Sequence, residues 1–232
     1  MIASARGSGD HEHWAPVSDL MAALMLIFMF IAIIFIRDVV EAESVNRQQC
    51  EKVYKLLRTE FGHDFEEWDV ELLEDLTIRF RNPEVLFQSG EDEIRPRFDR
   101  ILRNFFPRYM DIVQLPEHRD DIREVRIEGH TSSEWLDAQD ERDAYFRNMD
   151  LSQRRTRAIL RFVLDLPEAD AYASWARSRI TANGLSSSRL ILTDERREDR
   201  VRSRRVEFRL LATSCQRAGV YDQPNDAAAS ED

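Results

Sequence analysis

Asp19 stands at the mouth of residues 20–36, an apolar run of 17 residues without a charge. An ionised carboxylate is costly beside a bilayer core, so such a group gains proton affinity and marks an ion or proton path. Ser18 offers a hydroxyl beside it that can hydrogen-bond an ion or water. The competing reading places Asp19 at the interface, as a favourable negative charge near a helix N-terminus. Other chemistry-bearing residues are sparse. His130 in "GHT" has no Ser, Cys or metal-ligand constellation to make it an acid or base, which predicts a buried, hydrogen-bonded histidine. His11 and His13 in "DHEH" have metal-binding side chains but lie in a short polar terminus, where solvation is the expectation. The chain lacks a P-loop and a dinucleotide fingerprint, and an enzyme is the least expected class. Cys50 and Cys215 fit no metal-ligand spacing. They are either unpaired thiols or, in an oxidising compartment, paired within a chain or, at Cys50, between two chains.

With residues 16–18 added, the apolar run gives a helix of about 30 Å, the thickness of a bilayer core. A cleaved signal peptide would need a basic flank before the run and a small-residue cleavage site after it, and neither is present. An uncleaved anchor over residues 16–37 follows, with Pro16 in its first turn and Trp14 at the water interface. Arg6 precedes it while Arg37 and Arg47 follow, so the positive-inside rule gives no clear orientation. The net charge of −11 disfavours nucleic acid, whose phosphates need a basic surface.

Residues 38–75 are polar and Glu-rich, with Val45, Val53, Leu56, Leu57 and Phe61 at loosely helical spacing, which predicts a helical linker. At residue 76 the period changes. In "LTIRFR", Leu76, Ile78 and Phe80 alternate with polar neighbours, as a half-buried strand requires. A turn around Ser89 and Gly90 leads into a helix carrying Ile94, Phe98, Ile101, Leu102 and Phe105 on one face, with Pro107 expected to help stop it. "REVRIEG" is a second strand. "LSQRRTRAILRFVLDLP" is a second helix, with Ser152 as expected N-cap, and a short third helix holds Tyr172 and Trp175. "RRVEFRLL" closes as a strand. The order strand, helix, strand, helix, strand predicts an α/β domain, a two-layer α+β sandwich, behind a single N-terminal transmembrane helix. Residues 213–232 are small, polar and acidic, and predict a disordered tail.

The motifs "LFQSG", "EGHTSS", "NMDLSQRRT", "ITANGLSSSRLI" and "RVRSRRVEFRL" together resemble the OmpA-like peptidoglycan-binding domain, over about residues 76–211. An early Asp in a single anchor ahead of such a domain resembles the MotB class of stator subunits. The short, non-basic N-terminus, the short linker and "SDLMAALMLIFMFIA" are most similar to the MotB-like subunits of the Zorya anti-phage defence system.

That resemblance implies a non-enzymatic, ion-driven motor subunit in the inner membrane, its N-terminus (residues 1–15) cytoplasmic and its domain (residues 76–212) periplasmic. It makes Asp19 the proton carrier, with H+ the transported ion and no cofactor. The implied partners are a MotA-like, ZorA-type multi-span pentamer, a second copy of this chain in a homodimer, and a peptidoglycan stem peptide. Met21, Met25, Phe28, Met29 and Phe35 face either that partner or lipid. In the domain, Arg155 matches the motif Arg that holds a diaminopimelate carboxylate, Asn148 an amide contact, Leu151 a packing position and Thr131 the loop Thr. Ser132 departs from the pattern, standing where the family has the Asp that meets the ligand amine. Asp137, Asp140 and Asp143 are the candidates to replace it, and spacing does not choose among them. Arg204 and Arg205 match a motif whose expected role is structural, tying the last strand to carboxylates. A flagellar stator subunit and a passive cell-wall tether are the alternatives.

Overall fold

The computed structural model describes residues 15–81, 86–88 and 90–217, with side chains from Asp19 to Gln216. Two compact units divide between Val45 and Asn46. The first helix, α1 (Ala15–Phe61), contributes to both. Within the first unit its apolar residues from Leu20 to Ile36 are exposed along the single chain, Met21, Met25, Phe28, Met29 and Phe35 among them. It is the one described helix long and apolar enough to cross a membrane. Apolar surface of that extent belongs in lipid or against other helices.

The second unit begins earlier than the strand period suggested. Cys50, Val53, Leu57 and Phe61, three to four residues apart on one face of α1, are buried in the domain core. The Phe61 ring lies 5.2 Å from Phe105, and Arg108 anchors the helix end through Glu60 at 2.7 Å and Asp64 at 2.9 Å. Residues 46–75 thus belong to the compact unit, and a strand, β1 (Val70–Leu72), precedes the predicted first one. Three residues are too few for periodicity to register.

The sheet has five strands: β1, β2 (Thr77–Phe80), β3 (Ile122–His130), β4 (Ile180–Gly184) and β5 (Arg205–Ala212), in spatial order β1-β2-β5-β3-β4. All neighbours are antiparallel except β3 and β4. A parallel pair needs a long crossover, and α3 (Glu141–Leu164) lies in that connection. The other long helix, α2 (Pro96–Val113), runs through Pro107 rather than ending there. The missing N–H costs a helical bond; burial of Tyr109, Met110, Ile112 and Val113 beyond it offsets that loss. One sheet face carries Ile78, Phe80, Val125, Ile127, Val206, Phe208 and Leu210. Phe208 packs edge-on against Phe105 at 5.1 Å and Phe80 at 5.7 Å. The expected two-layer sandwich is present, with β1 and β4 added.

The N-cap of α3 is Asp140, whose carboxylate accepts from the Asp143 N–H at 2.7 Å. Ser152 is instead buried in mid-helix, donating to the Met149 carbonyl and accepting from the Ser186 N–H. Three and more turns of polar sequence precede the apolar stripe, so the stripe alone placed the helix start too late. A 3-10 turn (Pro167–Tyr172) and a helix (Ala173–Arg179) occupy the place of the predicted third helix. At the C-terminal end, Thr213–Arg217 is helical rather than part of a tail, and residues 218–232 lie outside the described residues.

Cys215 in that helix forms a disulfide with Cys50, the Cα atoms 5.1 Å apart. It closes a loop of 165 residues, and a long loop is where a crosslink restricts the unfolded chain most. Replacing Cys50 with Ser should lower the stability of the domain by roughly 2–5 kcal/mol. Thermal unfolding checks this, and a reducing agent should bring the wild type to the same midpoint.

Candidate functional site

Asn148, Leu151 and Arg155 fall three and four residues apart, so they share one face of α3. That helix lies very close to the sheet. A Cβ at Gly129 would meet Thr156 Cγ2 at 2.7 Å, and one at Gly184 would meet the Gln153 backbone N at 2.3 Å. The close approach sets the α3 face beside the loop that follows β3. A cleft of ≈ 460 Å³ opens there. Thr131, Ser132, Asn148, Leu151 and Arg155 all line it, as do Phe87, Gly90, Glu134, Trp135, Leu136, Asp137 and Arg204.

Arg155 is held on one wall. Its Nε donates to the Glu91 carbonyl at 2.8 Å and Nη2 to the Gln88 carbonyl at 3.0 Å, and the guanidinium lies 4.9 Å over the Phe87 ring. The edge through Nε and Nη2 therefore serves the loop. Burial pushes the Arg155 pKa down to about 10, with Asp92 opposing and Arg154 and Arg204 adding to the fall. The group stays charged near neutrality. Thr131 is 4% exposed; its N–H donates to the Ser186 carbonyl at 2.9 Å, while its Oγ1 has no hydrogen-bond partner among the described residues. Asn148 is buried and donates from Nδ2 to the Glu134 carbonyl at 3.3 Å, which ties the opposite loop to α3. Leu151 is buried, as a packing residue should be.

Arg204 and Arg205 part company. Arg204 lines the cleft. Arg205 is buried and structural, with Nε 2.6 Å from Glu207 Oε1 and Nη1 donating to the Arg189 and Ser203 carbonyls. Arg204 follows the short helix Arg200–Ser203 and lies before the strand, whereas Arg205 opens β5, a boundary that motif matching alone does not resolve.

The second face of the sheet is a row of charges. Glu71, Arg79, Glu207, Glu128 and Asn183 are successive cross-strand partners. Glu128 and Glu207 are directly opposed carboxylates, both buried, with His130 Nε2 3.4 Å from Glu207 and 3.8 Å from Glu128. His130 is buried as expected, yet neither ring nitrogen makes a well-oriented hydrogen bond among the described residues. One donor atom from each of these three residues falls within 4.8 Å of the others, a grouping that could hold a metal ion. Arginines already serve the carboxylates: Arg79 at 2.7 Å and Arg205 at 2.6 Å on Glu207, and Arg189 at 3.5 Å on Glu128. A divalent cation would meet their charge at close range, so the cluster acts as a neutralised ion network.

Burial pushes the Glu128 carboxyl up, against Arg209 and Arg189. Burial also favours neutral Glu207, but His130, Arg205 and Arg79 outweigh it and hold that carboxyl well below the usual range. For His130 burial lowers the pKa from 6.5, Arg205 and Arg189 reinforcing it and Glu207 opposing.

Asp19 and Ser18, the residues expected on an ion path, lie in the first unit. Asp19 is exposed on the single chain, and the Ser18 side chain lies outside the described residues, as do His11 and His13.

The arrangement defines an α/β domain of OmpA-like motif order, carrying a ligand-sized cleft and a bilayer-length apolar helix. No protein-family model matches the chain. It is 41% identical over 213 residues to Zorya protein ZorB of Escherichia coli, covering 88% of this chain and 90% of that one. The chain belongs to the ZorB family. Among solved structures, a MotB-like protein from Desulfovibrio vulgaris is 26% identical, covers 73% of this chain and 95% of its own, and has a TM-score of 0.49. The cell wall anchor of the T6SS from Pseudomonas aeruginosa is 23% identical over 67% of this chain and 96% of its own, with a TM-score of 0.47. The family assignment rests on the sequence identity to ZorB.

A group whose folded pKa is lowered contributes stability above its unfolded pKa and loses it as pH falls. For His130 that loss begins near 6.5. Between about pH 7 and pH 5 the wild-type domain should lose more stability than His130→Gln, measured by denaturant unfolding at each pH. Parallel curves for the two would remove His130 from the linkage.

Proposed function

We propose that this chain is the membrane-anchored, MotB-like subunit of an ion-driven complex acting in Zorya-type anti-phage defence. The carrying observation is near-full-length identity of 41% to Zorya protein ZorB, in a chain that joins an acid at the head of an apolar helix to a domain with a ligand-sized cleft. The subunit is non-enzymatic. Asp19 binds and releases the transported ion, H+, with Ser18 assisting. Protonation removes a charge from the apolar helix and changes how it packs against its neighbours, which couples ion flow to movement.

One helix cannot enclose an ion path, because the polar group needs shielding on every side. A MotA-like, ZorA-type partner with several spans, a pentamer around a dimer of this chain, supplies the shield. The exposed Leu, Met and Phe residues from Leu20 to Ile36 provide the surface it covers. The N-terminus lies in the cytoplasm and the domain in the periplasm. The Cys50–Cys215 disulfide supports that orientation, because such bonds persist in oxidising compartments. There the cleft grips a peptidoglycan stem peptide through Arg155, Asn148 and Thr131, with Leu151 packing beneath, so the partner ring turns against a fixed point. Nη1 is the side of Arg155 open to a carboxylate among the described residues.

Asp19→Asn should leave the protein inserted and folded and abolish phage restriction, read by plaquing efficiency beside a membrane-fraction immunoblot; full restriction by the variant would favour the passive tether. Arg155→Ala should weaken binding to isolated peptidoglycan about tenfold or more, the worth of a hydrogen bond to a charged group. Equal binding of wild type and variant in a sacculus pull-down would remove Arg155 from the grip.

A further inference from the structure

A second pocket opens at the end of the sheet away from the cleft. Arg179 immediately precedes β4, and its Nη1 donates to the carbonyl of Ile122, the first residue of β3. Thr131 of the cleft follows the last residue of that strand. The nine residues of β3 separate the two places, roughly 26 Å of extended chain, and the two sites share no lining residue. The pocket measures ≈ 330 Å³. Gln114 lines it from the end of α2, Pro116, Arg119 and Asp120 from the short helical turn that follows, and Trp175 and Arg179 from the helix before β4.

Its hydrogen-bonding groups are mostly donors in want of an acceptor. The Arg119 side chain makes no hydrogen bond or ion pair among the described residues. The Arg179 guanidinium lies 5.9 Å over the Trp175 ring, and with Nη1 on the Ile122 carbonyl its Nε and Nη2 remain unengaged among the described residues. Gln114 Nε2 and Trp175 Nε1 are buried and without a partner there as well. Asp120 is the one opposing charge among the lining residues; it is exposed and forms no ion pair with either arginine. One guanidinium fork satisfies a planar carboxylate, whereas a phosphate group brings three acceptor oxygens and up to two charges, enough for two forks. The volume exceeds that of a phosphate, and Pro116 and the Trp175 ring give the remainder of a small ligand an apolar wall.

We propose that this pocket binds a phosphate group, held between Arg119 and Arg179, with the organic part of the ligand against Pro116 and Trp175. In a chain with a bilayer-length helix, the phosphate comes from a soluble phosphate ester or from a phospholipid headgroup. The site does not depend on the wall-binding reading of the cleft. With Asp120 nearby and Arg119 exposed, the attraction is screened by salt and the affinity modest.

The test uses the full-length protein in maltoside micelles, which carry no phosphate, and isothermal titration at fixed ionic strength. Glycerol 3-phosphate should bind saturably with a Kd of about 1 mM or tighter, and acetate should not compete. Arg119→Gln and Arg179→Gln should each weaken binding about tenfold or more, the worth of a hydrogen bond to a charged group. Arg119 supports no other side chain, so its variant leaves the fold intact, and Arg155→Ala in the cleft should bind as the wild type does. Tryptophan fluorescence reports the place: glycerol 3-phosphate should change the emission of the wild type and not that of Trp175→Phe. Dihexanoylphosphatidylglycerol separates the two sources, since tighter binding than glycerol 3-phosphate assigns a headgroup and equal or weaker binding a soluble ester. No saturable binding of either probe, or wild-type affinity in Arg119→Gln, would overturn the site, and equal binding of acetate would overturn its assignment to phosphate.

Discussion

The short distance between α3 and the sheet fixes where the residues that line the cleft stand. At Gly129 and Gly184 the helix comes so near that a methyl group would strike Thr156 or the backbone of Gln153. Any larger residue would force the helix outward and carry Asn148, Leu151 and Arg155 away from Thr131. Ser152 and Thr156 meet this constraint from the helix side, since their small side chains are buried and satisfy local carbonyls. Ser152 also receives the Ser186 N–H, which fixes the loop after β4. That loop in turn receives the Thr131 N–H on the Ser186 carbonyl. The cleft floor is thus an outcome of close packing rather than a separate construction.

The opposite face of the sheet follows different physics. A two-layer sandwich leaves one sheet face without helices, and here charged residues occupy it. Glu207 is served by Arg79 and Arg205 on one oxygen and approached by His130 on the other. Opposed, buried Glu128 and Glu207 would repel each other if both were left bare. Arg189 from the connection to β5 approaches Glu128 and accepts a bond from Arg205 on its carbonyl. The motif residues Glu128, His130, Arg205 and Glu207 thus hold strands together, while their neighbours Thr131, Ser132 and Arg204 face the cleft. Adjacent motif positions divide because β3 ends at His130 and β5 begins at Arg205, so Thr131, Ser132 and Arg204 lie in the connections that border the cleft.

The two units answer to different solvents. From Leu20 to Ile36 α1 exposes apolar side chains throughout, whereas beyond Asn46 it buries Cys50, Val53, Leu57 and Phe61 in the domain. From Asn46 onward the helix is therefore part of the folded body. Its disulfide to Cys215 ties it to the last described helix.

Much was legible in the residues themselves. Seventeen uncharged apolar residues mark a bilayer-length segment or a buried helix, and the alternation in "LTIRFR" and "RRVEFRLL" marks strands, because the periods of helix and strand differ; that Thr77, Arg205 and Glu207 on their polar face are buried as well emerged only from the fold. Five motifs in order pointed to the domain type and to Thr131, Asn148, Leu151 and Arg155. Short or polar elements escaped: β1 has three residues, β4 buries little, and the first turns of α3 carry almost no apolar stripe. Only the tertiary structure joined Cys50 to Cys215, separated Arg204 from Arg205, and left Asp137 in the cleft while Asp140 and Asp143 served the helix. Local periodicity encodes which side of an element faces inward. Which distant side chains then meet is decided by how closely the elements pack, and one sequence read alone does not contain that distance.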